Sequence, residues 1–305
     1  MKKLFSLILV IALCVLTLAG CYRNDYAIML GVHTSQSGAS VTHTIAAIVI
    51  DKDYEIVSCR IDAIEVKAKF TDEGKIDDKP TYQSKAEKGD EYGMLNSPWG
   101  GGSTLAEWYE QAEAFEAYVV GKTRNEVKDI AVENGKATDV ELTAGCTIAV
   151  TDFMAAIDKA FASNYMVGLQ TKEEISLGVA VTADVTEKTG AVASYTADFS
   201  AVAMVGGKIQ AALIDSKEVT AKITDGQFGK IEDKGTKNEQ GDNYGMVAYG
   251  GAKYEWYEQA QALADAAIGK DASEVAAIDV DLVAGCTVYA GGYKSVLEKA
   301  AKNVR

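Results

Sequence analysis

The sequence predicts an α+β fold of two tandem repeats, each a small antiparallel sheet with packed helices. Three observations predict it. Glu107-Trp108-Tyr109-Glu110-Gln111-Ala112 returns word for word as Glu255-Trp256-Tyr257-Glu258-Gln259-Ala260, 148 residues later. Gly89-Asp90-Glu91-Tyr92-Gly93-Met94 returns as Gly241-Asp242-Asn243-Tyr244-Gly245-Met246, and Leu30-Gly31-Val32 answers Leu177-Gly178-Val179. Within each copy, β-branched apolar runs come first and helix-like stretches follow, the order of an α+β domain. A period near 150 is too long for a solenoid and implies two copies of a whole domain, 22–163 and 164–305.

Taken in order, a first strand is expected over Tyr26 to Thr34 and Ile175 to Val185, and a second over Thr44 to Asp51 and Ala197 to Val205. The turns Asp51-Lys52-Asp53 and Gly206-Gly207 bring the chain back into third strands, Glu55 to Ala63 and Lys208 to Asp215. A separate fourth strand is expected at Val66 to Thr71 and Val219 to Thr224. Short connections make these neighbours antiparallel. After a polar stretch, a helix is expected from Leu105 to Val120, with Thr104 and Glu107 as a capping box and Gly121 past its end. Its counterpart runs from Tyr254 to Ile268. Gly-Lys-Thr-x-x-Glu-Val (121–127) and Gly-Lys-Asp-x-x-Glu-Val (269–275) read as a second, short capped helix. A last helix closes each copy, Asp152 to Phe161 and Tyr293 to Ala301.

With 305 residues, 48% hydrophobic and 24% charged, the chain suits about two globular domains. A net charge of −14 and the lack of a basic run exclude the electrostatic footprint of a nucleic-acid binder. Two histidines, His33 and His43, argue against zinc sites and most histidine acid–base chemistry. No metal site, catalytic carboxylate pair, Ser/His/Asp set or Walker-type loop is legible.

The N-terminus opens with Lys2 and Lys3, continues apolar from Leu4 to Leu18, and reaches Leu18-Ala19-Gly20-Cys21. The apolar run is too short for a comfortable membrane span. The final four residues resemble the lipobox of bacterial lipoproteins. That resemblance implies a signal peptide over 1–20, a lipid on Cys21 and anchoring at the extracytoplasmic face of the cell membrane. Losing residues 1–20 removes two lysines and no acids, so the mature charge is 28 − 44 = −16. Cys59, Cys146 and Cys286 then remain besides Cys21, an odd set that does not read as a disulfide framework.

Each copy carries the turn Leu142-Thr143-Ala144-Gly145-Cys146-Thr147-Ile148 or Leu282-Val283-Ala284-Gly285-Cys286-Thr287-Val288, preceded by Glu141 or Asp281. A glycine turn ahead of a helix can offer backbone N–H groups to a phosphate and leave a hydroxyl exposed. The bland reading is a strand-to-helix turn that needs glycine. A thiol there could also be activated by the helix end, as a redox or ligand group. Upstream, Val202-Ala203-Met204-Val205-Gly206-Gly207-Lys208-Ile209 has the form apolar run, turn, Gly-Lys-Ile. With Asp281 to Thr287 closing the copy, this order resembles the FMN-binding domain family. Its members include a subunit of sodium-pumping NADH:quinone reductases and flavinylated electron-transfer lipoproteins. The family's closing motif is Asp-x-x-Ser-Gly-Ala-Thr, and here Ala144 and Ala284 replace its Ser while Cys146 and Cys286 replace its Ala.

The resemblance implies FMN held through a phosphoester on the last Thr, placed by a separate flavin transferase. Thr147 and Thr287 would be the acceptors. Gly145, Cys146, Glu141 and their counterparts Gly285, Cys286 and Asp281 would lie around the cofactor. The implied role is electron transfer from a membrane donor rather than stand-alone catalysis. The alternative is a non-enzymatic surface ligand-binding or interaction module with the same fold and no flavin. Trp108 and Trp256 are read as core or interface residues that could also stack on a flat ring. Tyr92 and Tyr244 could lid a pocket but are read as loop pins, and Asp62 and Asp215 as solvated carboxylates at strand ends.

Overall fold

The computed structural model describes residues 25–95, 105–288 and 290–305. The expected signal peptide, Cys21 and the Thr104 cap fall outside the described residues. The N-terminal half opens with three long strands, β1 (Tyr26–Ser37), β2 (Ser40–Asp51) and β3 (Ile56–Lys67). A small ribbon follows, β4 (Lys69–Phe70) with β5 (Ile76–Asp78). Then come α1 (Lys85–Lys88), α2 (Trp108–Val119) and α3 (Arg124–Lys128). A second ribbon, β6 (Val132–Glu133) with β7 (Lys136–Ala137), leads to α4 (Val140–Thr143) and α5 (Thr151–Ala162). After β8 (Met166–Leu169) the C-terminal half has β9 (Ser176–Lys188), β10 (Val192–Val205) and β11 (Lys208–Thr224). β12 (Gln227–Phe228), β13 (Glu232–Thr236), α6 (Lys237–Gln240), α7 (Trp256–Asp265), α8 (Ala272–Ala276) and α9 (Gly291–Lys302) complete it.

The fold is mixed α and β with antiparallel sheets. One sheet has the order β3-β2-β1-β8. The other runs β12-β11-β10-β9, with β13 also on β11. β8 lies past the 163/164 boundary read from the sequence, yet it pairs with β1, Tyr26 opposite Leu169. The C-terminus mirrors this pairing, because Arg305 and Leu177 exchange both backbone hydrogen bonds.

The sheets stack face to face, and β3 runs along β9 while β8 runs along β11. Every long strand therefore needs two apolar faces, which explains the near-continuous apolar runs. In β2, Val41, Ile45, Ala47 and Val49 enter the core between the sheets. Ala46, Ile48 and Ile50 enter a second core, against α2 and α5. In β10, Tyr195, Ala197, Phe199 and Ala201 face the first sheet, while Val202 and Met204 face the side of α7 and α9. The result is four layers, helices on sheet on sheet on helices, with the central core drawn from both halves.

The expected fourth strands are not separate over the ranges expected: in the first half only Lys69–Phe70 forms an element of its own, the short β4, and in the second half none does. Val66 continues β3 and Val219 to Thr224 continue β11, because β2 and β10 reach back far enough to pair them, Val41 with Val66 and Tyr195 with Val219. The connecting residues hold no Gly or Pro, and the backbone stays extended. The Gly206-Gly207 turn has φ of 57° and 77°. That is the left-handed pair a two-residue hairpin requires.

The helix expected from Leu105 starts at Trp108, with Glu107 as the cap and Glu110 accepting from the Glu107 N–H at 2.8 Å. Glu255 and Glu258 repeat this at 2.8 Å for α7. Leu30-Gly31-Val32 and Leu177-Gly178-Val179 match in letters but not in place. Asp62 lies opposite Ile45, which lies opposite Val32, whereas Asp215 lies opposite Phe199, which lies opposite Val181. Counting from the two aspartates, Gly31 corresponds to Ala180 and Gly178 to Met29. Each glycine still meets a helix backbone. A Cβ on Gly31 would sit 2.2 Å from the Ala156 carbonyl, and one on Gly178 2.2 Å from that of Ala300. A slip of two residues keeps the face and moves the contact one step along the helix.

Candidate functional site

The Ala-Gly-Cys-Thr turn joins two helices rather than a strand and a helix. It follows α4 in the first half and a 3-10 turn, Val280–Leu282, in the second. In the first half its backbone N–H groups are taken up within the chain. Gly145 and Cys146 both donate to the Leu142 carbonyl, at 3.1 and 2.8 Å. Thr147 donates to the side-chain oxygen of Gln111 at 2.9 Å. The amides of Gly145, Cys146 and Thr147 are therefore spent on acceptors within the chain rather than turned toward a phosphate.

Gln111 is fully buried on α2 and has all its polar atoms near the turn committed. Its Nε2 donates to the Ala106 carbonyl at 2.7 Å, and its Oε1 also accepts from the Thr147 hydroxyl at 3.2 Å. Gln259 repeats the arrangement. Its Nε2 donates to Tyr254 O at 2.9 Å, and its Oε1 accepts from Thr287 N at 2.7 Å and Thr287 Oγ1 at 2.9 Å. Thr147 and Thr287 themselves are exposed. Each hydroxyl thus gives its proton inward and keeps its lone pairs toward solvent. Glu141 and Asp281 are exposed as well, on the approach to the turn.

The glycines serve different ends. A Cβ on Gly145 would meet the Ala114 Cβ at 2.7 Å, so the first turn needs glycine for close packing against α2. Gly285 needs it for a φ of 88°, and there the Ala262 Cβ is 3.7 Å away. Cys146 and Cys286 are buried beneath the turns. Burial pushes the Cys146 thiol up to about 11, although its sulfur accepts from the Ile148 N–H. The Cys286 thiol is raised for the same reason, with Val288 as donor. Cys59 is raised well above the usual value, by burial first and Glu116 second. This overturns the activated-thiol reading. Cys146 and Cys286 are small apolar fillers whose sulfur accepts from one turn amide each, and Cys59 is a buried filler of β3.

The glutamate of the repeated helix word also has a task that its letters did not reveal. Glu107, 3% exposed, accepts from Met94 N at 2.8 Å and Leu95 N at 3.0 Å. Glu255 accepts from Met246 N at 2.9 Å and Val247 N at 3.0 Å. One helix therefore holds both the Tyr-Gly-Met loop and the threonine turn. In the first half these parts border a cleft of about 280 Å³. Trp108, Phe153, Tyr92 and Met94 form its apolar wall, with Ile148 and Ala149 from the turn, Lys85 from α1, and Thr42, Thr44 and Asp152 at the polar side. Trp108 meets Phe153 edge-on at 5.7 Å, so the expected core role of this tryptophan and a place on the cleft coexist. The Lys85 Nζ stands 5.3 Å from the Tyr92 ring centre and 5.4 Å from that of Trp108. Asp152 accepts from the Ser35 hydroxyl at 3.0 Å and lies 3.6 Å from His33.

In the second half the residues at the corresponding place bond to one another. Tyr293 takes the place of Phe153, and its hydroxyl accepts from Lys237 Nζ at 3.0 Å and Trp256 Nε1 at 3.3 Å. Burial disfavours the Lys237 charge, but Tyr293, Tyr244 and Asp198 together outweigh it and raise the pKa. Asp198 and Ser216 face each other across β10 and β11, and Asp198 Oδ1 and Ser216 Oγ are buried without a hydrogen-bond partner.

Asp62 and Asp215 are not the solvated strand ends expected of them. They sit mid-strand, 2% and 6% exposed, and each staples the start of the next short helix. Asp62 accepts from Ala63 N at 2.7 Å and Ala86 N at 3.1 Å, and Asp215 from Ser216 N at 2.7 Å and Asn238 N at 3.1 Å. Among the described residues no group of three His, Cys, Asp or Glu is placed to hold a metal ion, and no helix is long and apolar enough to cross a membrane. Comparison with protein-family models, with curated proteins and with solved structures finds no match to this chain.

Proposed function

We propose that the chain is a membrane-anchored extracytoplasmic electron carrier of two FMN-binding-like repeats, 22–163 and 164–305, lipid-anchored through Cys21. Flavin would be joined to the threonine of the Ala-Gly-Cys-Thr turn. One observation carries the reading. Thr147 is exposed, its hydroxyl proton is given to the buried Gln111, and the same turn borders an aromatic cleft with a lysine. A flavin transferase would direct the threonine oxygen to the FMN-side phosphorus of FAD. The new P–O bond forms as the bond to the AMP oxygen breaks, AMP leaves, and the threonine proton passes to a base of the transferase. Thr287, held by Gln259, is the second acceptor. FMN then supplies the redox chemistry, while the chain positions it. Tandem carriers on one anchored chain stay at high mutual concentration beside a membrane electron donor.

The test is expression in a host with its own flavin transferase, followed by intact mass and in-gel flavin fluorescence. A gain of one or two FMN units, lost in the Thr147→Ala/Thr287→Ala variant, supports the carrier. A colourless protein of unmodified mass rejects it. A second reading, a ligand-binding or interaction module without covalent flavin, is favoured by the turn amides, which are spent on Leu142 and Gln111 and leave none for a phosphate. Under that reading the unmodified protein binds its ligand tightly enough to raise its melting temperature.

A further inference from the structure

We infer that only the N-terminal half seats a flat aromatic ring, in the cleft between Lys85, Trp108 and Phe153, and that Tyr293 closes the equivalent place in the C-terminal half. The inference deepens the flavin reading and rests on it. The two halves supply the same frame, a lysine at the start of a short helix, a tyrosine before Gly-Met, and the tryptophan that opens the long helix. Of the cleft-lining residues, Ala63, Ile148 and Ala149 become Ser216, Val288 and Tyr289, and three further changes bear on the lysine. Phe153 is replaced by Tyr293, Thr44 by Asp198, and Asp152 by Gly292, counting the strands from Asp62 and Asp215 and the last helix from the turn.

Those differences change what the lysine can do. Lys237 donates to the Tyr293 hydroxyl, stands 5.0 Å from the Trp256 ring centre, and feels the Asp198 carboxylate. Its charge is already answered within the chain. Tyr293 also takes the Trp256 N–H, so the phenol occupies the space where a ligand edge would lie. Lys85 has rings on either side, and among the described residues it forms no ion pair with a carboxylate. Phe153 has no hydroxyl to reach it. A lysine held between two aromatic faces, with one side open to a cleft, suits a planar ligand with an electron-rich edge. The dione edge of an isoalloxazine has that character. The ring would lie along Trp108 and Phe153, and its carbonyl edge would meet the ammonium.

The test uses the mature chain purified from a host without a flavin transferase, titrated with FMN. Tryptophan fluorescence and equilibrium dialysis give affinity and stoichiometry. One FMN per chain is expected. Lys85→Met should weaken binding roughly tenfold, as loss of a charge-assisted contact does. Phe153→Tyr, which copies the plug into the first half, should weaken it similarly, and Lys237→Met should leave it unchanged. Circular dichroism and melting curves confirm that each variant is folded. Two FMN per chain, equal losses from Lys85→Met and Lys237→Met, or no FMN bound would each overturn the inference. The outcome is separable from the carrier reading. Covalent FMN on both threonines with no seat in the first cleft sinks the seat alone. Tight binding at the first cleft with no covalent addition in a competent host sinks the covalent carrier alone.

Discussion

Asp62 and Asp215 keep their carboxylates away from water to satisfy two backbone N–H groups each, and burial lifts their pKa values, to about 6 and about 7. The hydrogen bonds from Ser84 and Ala86, or from Thr236 and Asn238, pull down without cancelling that rise. In the unfolded chain an aspartate titrates near ~3.9. Both groups therefore hold their protons more tightly when folded. Between about pH 4 and 7 the native state binds more protons than the unfolded one, so their contribution falls as pH rises through that window. Thermal melts should show a higher melting temperature at pH 5 than at pH 7.5. The Asp62→Asn/Asp215→Asn protein, which keeps the acceptor oxygens, should lose a large part of that dependence, the remainder coming from buried Glu116, which is raised to about 7. A wild-type melting temperature that is flat or rises from pH 5 to 7.5 would contradict the assignment. At this scale the sequence was least legible. A strand aspartate looks the same whether its neighbours turn or run on. What buries it is β2 or β10 reaching back to pair the continuing strand, and no local pattern states that. Gln111 and Glu107 sit inside a visible repeated word, but the word alone does not say that one holds a turn and the other a loop.

At the scale of elements the alternation of apolar residues and the helix caps were legible, since they depend on neighbours in the chain. The short helices began where Thr123 with Glu126, and Asp271 with Glu274, predicted a capping box. The equivalence of matching words was less legible, as the two-residue slip of Gly31 against Gly178 shows. A sharper case is the segment before the focal turn. Leu142 lies on α4 and is 2% exposed, packed in the core of the first half. Leu282, in the same place in the word, ends a 3-10 turn and is 81% exposed. Beside it, Ala262, Ala266, Ile278 and Val283 line a shallow groove. The looser fit of Gly285, 3.7 Å from Ala262 against 2.7 Å from Ala114 for Gly145, fits a turn lifted off its helix. Identical chemistry should thus have different consequences. Leu142→Ala should cost about 2–5 kcal/mol in urea unfolding, the range for truncating a buried leucine. Leu282→Ala should stay within about 0.5 kcal/mol. Equal costs at both positions would mean that the second turn packs as the first does.

The whole molecule sets a limit on how independent the two halves are. Each half closes one core with its own helices, Phe115 and Phe153 in the first, Leu263 and Leu297 in the second. The third core is common property. Ile28, Ile45, Val49 and Ile64 of the first sheet pack against Val181, Tyr195, Phe199 and Leu213 of the second. The seam adds polar ties in both directions. Lys159 of α5 pairs with Glu239 at 2.6 Å, and Lys299 of α9 pairs with Glu87 at 2.6 Å. Surface pairs of this kind contribute little energy each, but they fix orientation. The burial between the sheets contributes far more, since one fully buried Ile, Phe or Leu is worth about 1.5–3 kcal/mol. A half expressed alone would present an open apolar sheet face to water, a surface that associates rather than stays free. Residues 22–169 and 170–305, produced separately, should therefore be insoluble or self-associated, with weak near-ultraviolet circular dichroism and no cooperative melt. Mixed or co-expressed, they should form a 1:1 complex with the melt of the intact chain. A monomeric, cooperatively folding 22–169 fragment would show instead that the first sheet tolerates an uncovered face, and that the second half serves as a partner rather than as part of the core.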